Sequence, residues 1–335
     1  MQKTILNSVT ISGNGLHTGQ PTSVRFLPAK ENTGIRFQRI DLEGKPLISA
    51  TIQNIHKTKR RTVLKENNAT IETVEHVLAT LFALSITNIL IEVDGPEIPI
   101  LDGSSKLIMA KIEQAGIKQQ NTKRKTVKLN NYFKVQDGDS EIEFFPQNTL
   151  EIEVNINYNS NVLKPQKASL KSLKDFKLEI APARTFCFLH EVSQLVNLNL
   201  IKGGSIDNAI VFVENETPVN ELGEFKKILQ SNTKIIPQGI LNDKKMLYQN
   251  EQAKHKLLDL IGDMALAEYE IKGKIVATKP GHKINILFTQ KLLSQILKNM
   301  THINKPPIMK IDEIKKILPH REPFLFIDEI MELTK

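Results

Sequence analysis

Two helical stripes set among strand-like runs do most to limit what this 335-residue chain can become. In TIETVEHVLATLFAL, residues 70 to 84, Val74, Val77, Leu78 and Leu81 recur at i, i+3, i+4 and i+7, the apolar stripe of a helix packed on a sheet. In HKLLDLIGD, residues 255 to 263, Leu257, Leu260 and Ile261 repeat that spacing together with the following Met264. Around these helices lie runs with strand character: SVTISG, TSVRFLP, TGIRFQRI, NILIEV at 88 to 93, and stretches near 126 to 135, 141 to 145 and 150 to 157. Strands and helices in this order predict an α+β chain. A lysine-rich polar join, KQQNTKRKT at 118 to 126, divides it into a first α/β domain over 1–120 and a second over 121–299. No repeat is legible residue by residue. The pair Pro306-Pro307 marks a linker over 300–310, and residues 311–335 read as a separate piece.

The composition narrows the class further. Apolar residues make up 40% of the chain, enough for real cores, yet no run of about 18 of them occurs, and the N-terminal MQKTILNSVTISG has none of the segments of a signal peptide. The expectation is a cytoplasmic protein without stable membrane insertion. A single cysteine, Cys187, excludes an internal disulfide and a cysteine-based zinc site, so any metal must rest on histidines and carboxylates. The net charge of +8 comes from scattered lysines and only eight arginines, with no arginine-rich stripe or aromatic-interleaved patch. That pattern predicts no nucleic-acid partner and leaves a negatively charged small substrate compatible.

The polar row in HKLLDLIGD raises the chemical question. On a helix, residues four apart share a face with Cβ atoms about 5–6 Å apart, so His255 and Asp259 can close on one ion, with Asp263 a turn further along. A solvated polar face would read the same way. Gly262, unfavourable in a helix interior by roughly 1 kcal/mol against alanine, signals a close approach by something else. A catalytic zinc needs a third protein ligand and a base beside it. The dipeptide Glu75-His76 on the other patterned helix offers both, and Pro280-Gly281-His282 offers a histidine in a glycine turn. Asp102, in DGPEIPILDGSS, is placed either to cap a helix beginning near Ser104 or to act in catalysis directly.

Taken together, GLHTG (15 to 19), TVEHVLATL (73 to 81), NILIEVDGPEIPILDGSS (88 to 105), ARTFCF (183 to 188), GGSIDNAIV (203 to 211), HKLLDLIGD and GHKIN (281 to 285) resemble, in order, the motifs of the UDP-3-O-acyl-N-acetylglucosamine deacetylases of lipid A biosynthesis. The resemblance implies two successive two-layer α/β sandwich domains of similar fold with the active site in the cleft between them. It implies zinc held by His76, His255 and Asp259, with Glu75 as general base and His282 as general acid or oxyanion-stabilising group. Thr185 would meet the developing oxyanion, Asp263 would hold and charge-balance His282, and Lys256 and Phe186 would contact substrate. The reaction implied is removal of the N-acetyl group of UDP-3-O-acyl-N-acetylglucosamine, with release of acetate. An insert after ARTF would line a passage for the acyl chain with Phe186, Phe188, Leu189, Val192, Leu195, Val196 and Leu198, a stretch that by itself reads as a core helix.

The stretch IDEIKKILPHREPFLFIDEI, 311 to 330, resembles the opening of the 3-hydroxyacyl-carrier-protein dehydratases, a hot-dog fold. It covers only that opening, without counterparts of the dehydratase's catalytic residues, so it predicts a fused or partner dehydratase and no dehydratase activity of its own. Two rival readings are a zinc hydrolase for another N-acyl substrate and a non-catalytic scaffold. For the rest, His17 reads as a substrate contact or a turn residue, Arg60 and Arg61 as phosphate contacts or solvated charges, and His56, His190, His302 and His320 as surface residues.

Overall fold

The structure, a computed structural model, describes residues 1–192, 201–214, 238–241, 245–303, 309–317 and 329–330. The chain divides into a unit of residues 1–290 and a second of 291–335. The first half of the larger unit contains β1 (Lys3–Ile5), β2 (Val9–Asn14), β3 (Pro21–Pro28), β4 (Ile35–Arg39) and β5 (Leu47–Ser49). A small hairpin sheet follows, made of β6 (Ile55–Lys57), β7 (Val63–Glu66) and β8 (Ala69–Glu72), and then α1 (Glu75–Ala83), β9 (Ile89–Val93) and α2 (Lys106–Gln114). After β10 (Ile117–Gln119), which pairs back on β1, the second half runs through β11 (Thr126–Lys128), β12 (Phe133–Asp137), β13 (Ser140–Phe145), β14 (Leu150–Ile156), β15 (Gln166–Leu170) and the short α3 (Phe176–Glu179). It continues with an inserted sheet of β16 (Phe186–Phe188), β17 (Ile210–Val213) and β18 (Gly239–Ile240), then α4 (Glu251–Ala265), β19 (Glu270–Thr278) and α5 (His282–Ile303).

Strand order shows a repeat that the residues conceal. The first sheet runs β2-β3-β9-β4-β5, antiparallel except for the β4–β9 pair; the second runs β12-β13-β19-β14-β15, antiparallel except for β14–β19 along that path. In each half the last strand enters the middle of the sheet after a helix, α1 before β9 and α4 before β19, because a parallel neighbour requires a crossover. Each half therefore carries a five-stranded path with packed helices and its own insert, and the predicted pair of similar α/β layers is the fold observed.

Alternation sets which face of each sheet is covered. In β3 and β9, Val24, Phe26, Ile89, Ile91 and Val93 are buried while Arg25 and Leu90 are not, and burying side chains of this size stabilises the fold by roughly 1.5–3 kcal/mol each. Helix α2 buries only Ile108, Met109 and Ile112. By contrast, α1 buries residues 75 to 82, and every residue of α4 except Lys256 is buried, because these two equivalent helices pack on each other. A solvated polar face on HKLLDLIGD is thereby excluded. The contact is as close as Gly262 suggested: a Cβ there would lie 2.2 Å from the carbonyl oxygen of Glu75.

Several local expectations change. Residues 70 to 72 of the helical stretch are strand β8, since Thr73 adopts a left-handed φ of 59° that separates strand from helix. The expected strand at 126 to 135 is split into β11 and β12. Asp102 caps no helix. Its Oδ1 accepts from the backbone N–H and hydroxyl of Ser104 in a local turn, and α2 begins two residues later. In the second unit, β20 (Met309–Lys310) pairs antiparallel with β21 (Glu329–Ile330), and α6 (Ile311–Ile317) lies between them in sequence. Most of the dehydratase-like stretch, 318 to 328, lies outside the described residues. No helix among the described residues is long and apolar enough to cross a membrane.

Candidate active site

The packing of α1 against α4 brings the three expected ligands together. His76, on the first turn of α1, joins His255 and Asp259 on α4, and one ligand atom from each lies within 4.8 Å of the others. His255 Nε2 is 3.4 Å from Asp259 Oδ1, while its Nδ1 is 3.0 Å from the carbonyl oxygen of Ala183, an acceptor that keeps the proton on Nδ1 and turns the Nε2 lone pair inward. The His76 and His255 rings meet edge to face at 5.2 Å. Burial lowers both imidazoles, His76 to about 3, so each presents a neutral nitrogen. Burial alone would raise Asp259, but the Lys256 ammonium, which donates to its Oδ2 at 2.9 Å, and His255 hold it well below the usual carboxylate range. Two neutral imidazoles and an ionised carboxylate suit a divalent cation.

Glu75 and His282 face each other beside this triad, with His282 Nε2 3.8 Å from Glu75 Oε1. Burial pushes the Glu75 carboxyl up to about 7, although the His282 charge pulls the other way. His282 Nδ1 donates to Asp263 Oδ2 at 2.8 Å; burial would depress the imidazole, but Asp263 outweighs it and raises it to about 9. Asp263, fully buried, also accepts from Asn285 Nδ2 at 2.9 Å and from the Thr62 hydroxyl at 2.6 Å. Neither Asn285 nor Thr62 was picked out in the sequence.

A cavity of about 320 Å³ opens over these groups, and Thr185, Phe186 and Lys256 line it with Glu75, His76, His255, Asp259 and His282. Thr185 is fixed by its backbone, which donates to Gly103 and accepts from Ile210. Lys256 lies 5.8 Å from the Phe186 ring centre while paired with Asp259, so its ammonium already has a carboxylate partner within the chain. Beyond Phe186, one side of the inserted sheet packs Phe188, Ile210 and Phe212 with Leu163, and the other packs Leu189, Val192, Val211 and Val213 with Leu241. Residues 186 to 188 are strand and not core helix, and Leu195, Val196 and Leu198 lie outside the described residues.

Other sequence candidates fall into place around the rim. His17 is buried and lines the cavity, lowered to about 4 chiefly by burial, and neither ring nitrogen has a hydrogen-bond partner among the described residues. Its loop is pinned by Glu97, a residue passed over in the sequence, whose buried carboxylate accepts from the backbone of His17 and Thr18 and from the hydroxyls of Thr18 and Thr73. Arg60 and Arg61 are not merely solvated: Arg60 pairs with Glu191 of the insert, and Arg61 with Glu72 at 2.7 Å. His190 is exposed, as expected, but it has partners. It stacks on Phe188 and lies 3.5 Å from Glu214. His56 is exposed, and the side chains of His302 and His320 lie outside the described residues.

A family model described as UDP-3-O-acyl N-acetylglycosamine deacetylase matches residues 2–229 and 226–294. The chain is 41% identical to the "Bifunctional enzyme LpxC/FabZ" of Porphyromonas gingivalis, over 99% of this chain and 74% of the relative. It is 40% identical, with the same coverage, to the protein of that name from Bacteroides thetaiotaomicron. It is also 36% identical to the "UDP-3-O-acyl-N-acetylglucosamine deacetylase" of a Nitratiruptor species, over 88% of this chain and 91% of the relative.

Proposed function

The chain belongs to the UDP-3-O-acyl N-acetylglycosamine deacetylase family, and on that premise we propose how its own residues divide the work of the reaction. The activity is hydrolysis of the N-acetyl group of UDP-3-O-acyl-N-acetylglucosamine in lipid A biosynthesis, and the family is metal-dependent. His76, His255 and Asp259 would hold the ion, a zinc. A tetrahedral zinc with bonds of about 2.0–2.1 Å sets its ligand atoms about 3.3 Å apart, and the 3.4 Å between His255 Nε2 and Asp259 Oδ1 fits that edge. When bound, zinc polarises the amide carbonyl and makes a water more acidic.

The remaining steps belong to side chains. Glu75, raised toward neutrality by burial, is ionised over the upper part of its titration and takes the proton of the attacking water. His282, kept cationic by Asp263, gives a proton to the departing amine, which is a poor leaving group until protonated. Thr185 directs its hydroxyl to the developing oxyanion. Lys256 meets the polar head or diphosphate of the substrate, and Phe186 with the apolar sides of the inserted sheet receives the 3-O-acyl chain. Residues 1–120 and 121–299 act as the two deacetylase domains. Residues 311–335 are the start of a hot-dog dehydratase domain that follows α5 in sequence, a reading supported by the match to the bifunctional relatives over 99% of the chain, against 88% for the Nitratiruptor deacetylase.

The observation that carries this reading is the convergence of three ligand atoms within 4.8 Å beside a facing Glu75–His282 pair. Acetate release from UDP-3-O-acyl-N-acetylglucosamine, measured before chelation, after it and with zinc restored, tests it. Turnover should vanish with the chelator and return with about one zinc per chain. Full turnover in metal-free protein would refute it.

A further inference from the structure

We propose that Thr62 is a positioning residue for deacetylation, holding the base Glu75 and the acid pair Asp263–His282 in one frame. Thr62 is fully buried and immediately precedes β7 of the hairpin sheet inserted in the first half of the fold. Its hydroxyl donates to Asp263 Oδ1 at 2.6 Å and lies 3.2 Å from His282 Nδ1, and its backbone N–H donates to Glu75 Oε2 at 3.2 Å. One residue of the first half thus touches both arms of the reaction, the first from α1 and the second from α4 and α5 of the second half. The proposal rests on the roles given above to Glu75 and His282.

The hydrogen-bond arithmetic explains what the hydroxyl does. A threonine hydroxyl has one proton, and the shorter, charged acceptor Asp263 Oδ1 takes it. Asp263 Oδ2 is then left to His282 Nδ1–H at 2.8 Å and to Asn285 Nδ2 at 2.9 Å. With both carboxylate oxygens engaged, Asp263 cannot turn, and His282 keeps its proton on Nδ1 with Nε2 facing Glu75 and the cavity. Removing the hydroxyl leaves a buried carboxylate oxygen without its donor. The carboxylate then rotates toward another donor and carries the imidazole with it.

Thr62→Val removes the hydroxyl at nearly constant shape and keeps the N–H that reaches Glu75. In the zinc-loaded full-length protein, kcat should fall roughly 10- to 100-fold, the size expected for one hydrogen bond to a charged group. KM and zinc content should stay unchanged, because none of the three ligands touches the hydroxyl. Thr62→Ser, which restores the hydroxyl, should return kcat to within about threefold of wild type. In an Asp263→Ala background, Thr62→Val should add little, since the group it positions is gone. A valine variant with kcat within about twofold of wild type overturns the proposal. So does a serine variant as impaired as valine, which would make the methyl group the essential part, and the serine result decides even where valine disturbs folding. Wild-type protein that is inactive with zinc bound overturns the deacetylase reading and this proposal together, whereas active wild type with an unimpaired valine variant overturns only the proposal.

Discussion

Gly262→Ala separates local helix preference from the packing that builds the site. In a helix interior alanine is better than glycine by about 1 kcal/mol, so on α4 alone the substitution would stabilise. The structure puts that added Cβ 2.2 Å from the Glu75 carbonyl oxygen and 2.9 Å from its carbon, both backbone atoms that cannot swing aside. Comfortable non-bonded separations are about 3.5–4.0 Å, so α1 and α4 must part by more than roughly 1 Å. Overpacking of this kind costs about 1–3 kcal/mol; set against the propensity gain, the net loss is about 0–2 kcal/mol, and a clash with backbone atoms puts it toward the upper end, a fall in melting temperature of up to about 4 °C. The loss of function should be larger than that loss of stability. The displaced turn carries Glu75 and His76, and a 1 Å error in a reacting group can lower the rate roughly 100-fold. Calorimetry with kcat/KM and zinc analysis on the same preparations tests this. A variant that melts at or above the wild-type temperature and keeps kcat/KM within about twofold would refute the packing argument.

Three further outcomes follow from the same geometry. Asp259→Ala removes a ligand and strands the Lys256 ammonium, so zinc affinity measured by competitive chelation should drop by more than the roughly 10- to 100-fold typical of losing a supporting residue; unchanged affinity would remove Asp259 from the ligand set. Glu75→Gln should keep one zinc per chain and lose most turnover, and a normal kcat would dismiss Glu75 as the base. The pH profile of kcat/KM should rise through about 7 as Glu75 ionises and fall through about 9 as His282 loses its proton. Asp263→Asn removes the charge that raises His282, so the alkaline limb should move to lower pH. A limb that stays in place would mean that His282 is not the acid being titrated.

The parts of this molecule legible in sequence are those whose signal is local. Alternation in TSVRFLP and NILIEV marks strands, and the stripe of Val77, Leu78 and Leu81 marks α1. His255 and Asp259 draw attention because four residues on a helix is a ligand spacing. Their burial is not legible, since a solvated row has the same pattern and only the approach of α1 at Gly262 decides between them. The duplicated strand order is equally hidden, because it consists of long-range pairings such as β4 with β9 and β14 with β19 that leave no residue-level repeat. Thr62 and Asn285 are ordinary polar residues until folding places them on Asp263, which lies 201 positions from Thr62. Glu97 escaped for a related reason: its four donors come from the loop at His17 and Thr18 and from Thr73. Of the two roles the sequence leaves open for Asp102, capping fails because the turn at Ser104 delays the start of α2 to Lys106.

On the proposed reading, the contact between α1 and α4 assembles a zinc site from His76, His255 and Asp259. An anomalous difference map at the zinc edge, from crystals of the zinc-loaded protein, tests it most directly. One strong peak is expected about 2.0–2.2 Å from a ring nitrogen of His76, from Nε2 of His255 and from a carboxylate oxygen of Asp259. A peak ligated instead by Glu75 and His282, or no peak at this position in protein that retains full turnover, would contradict it.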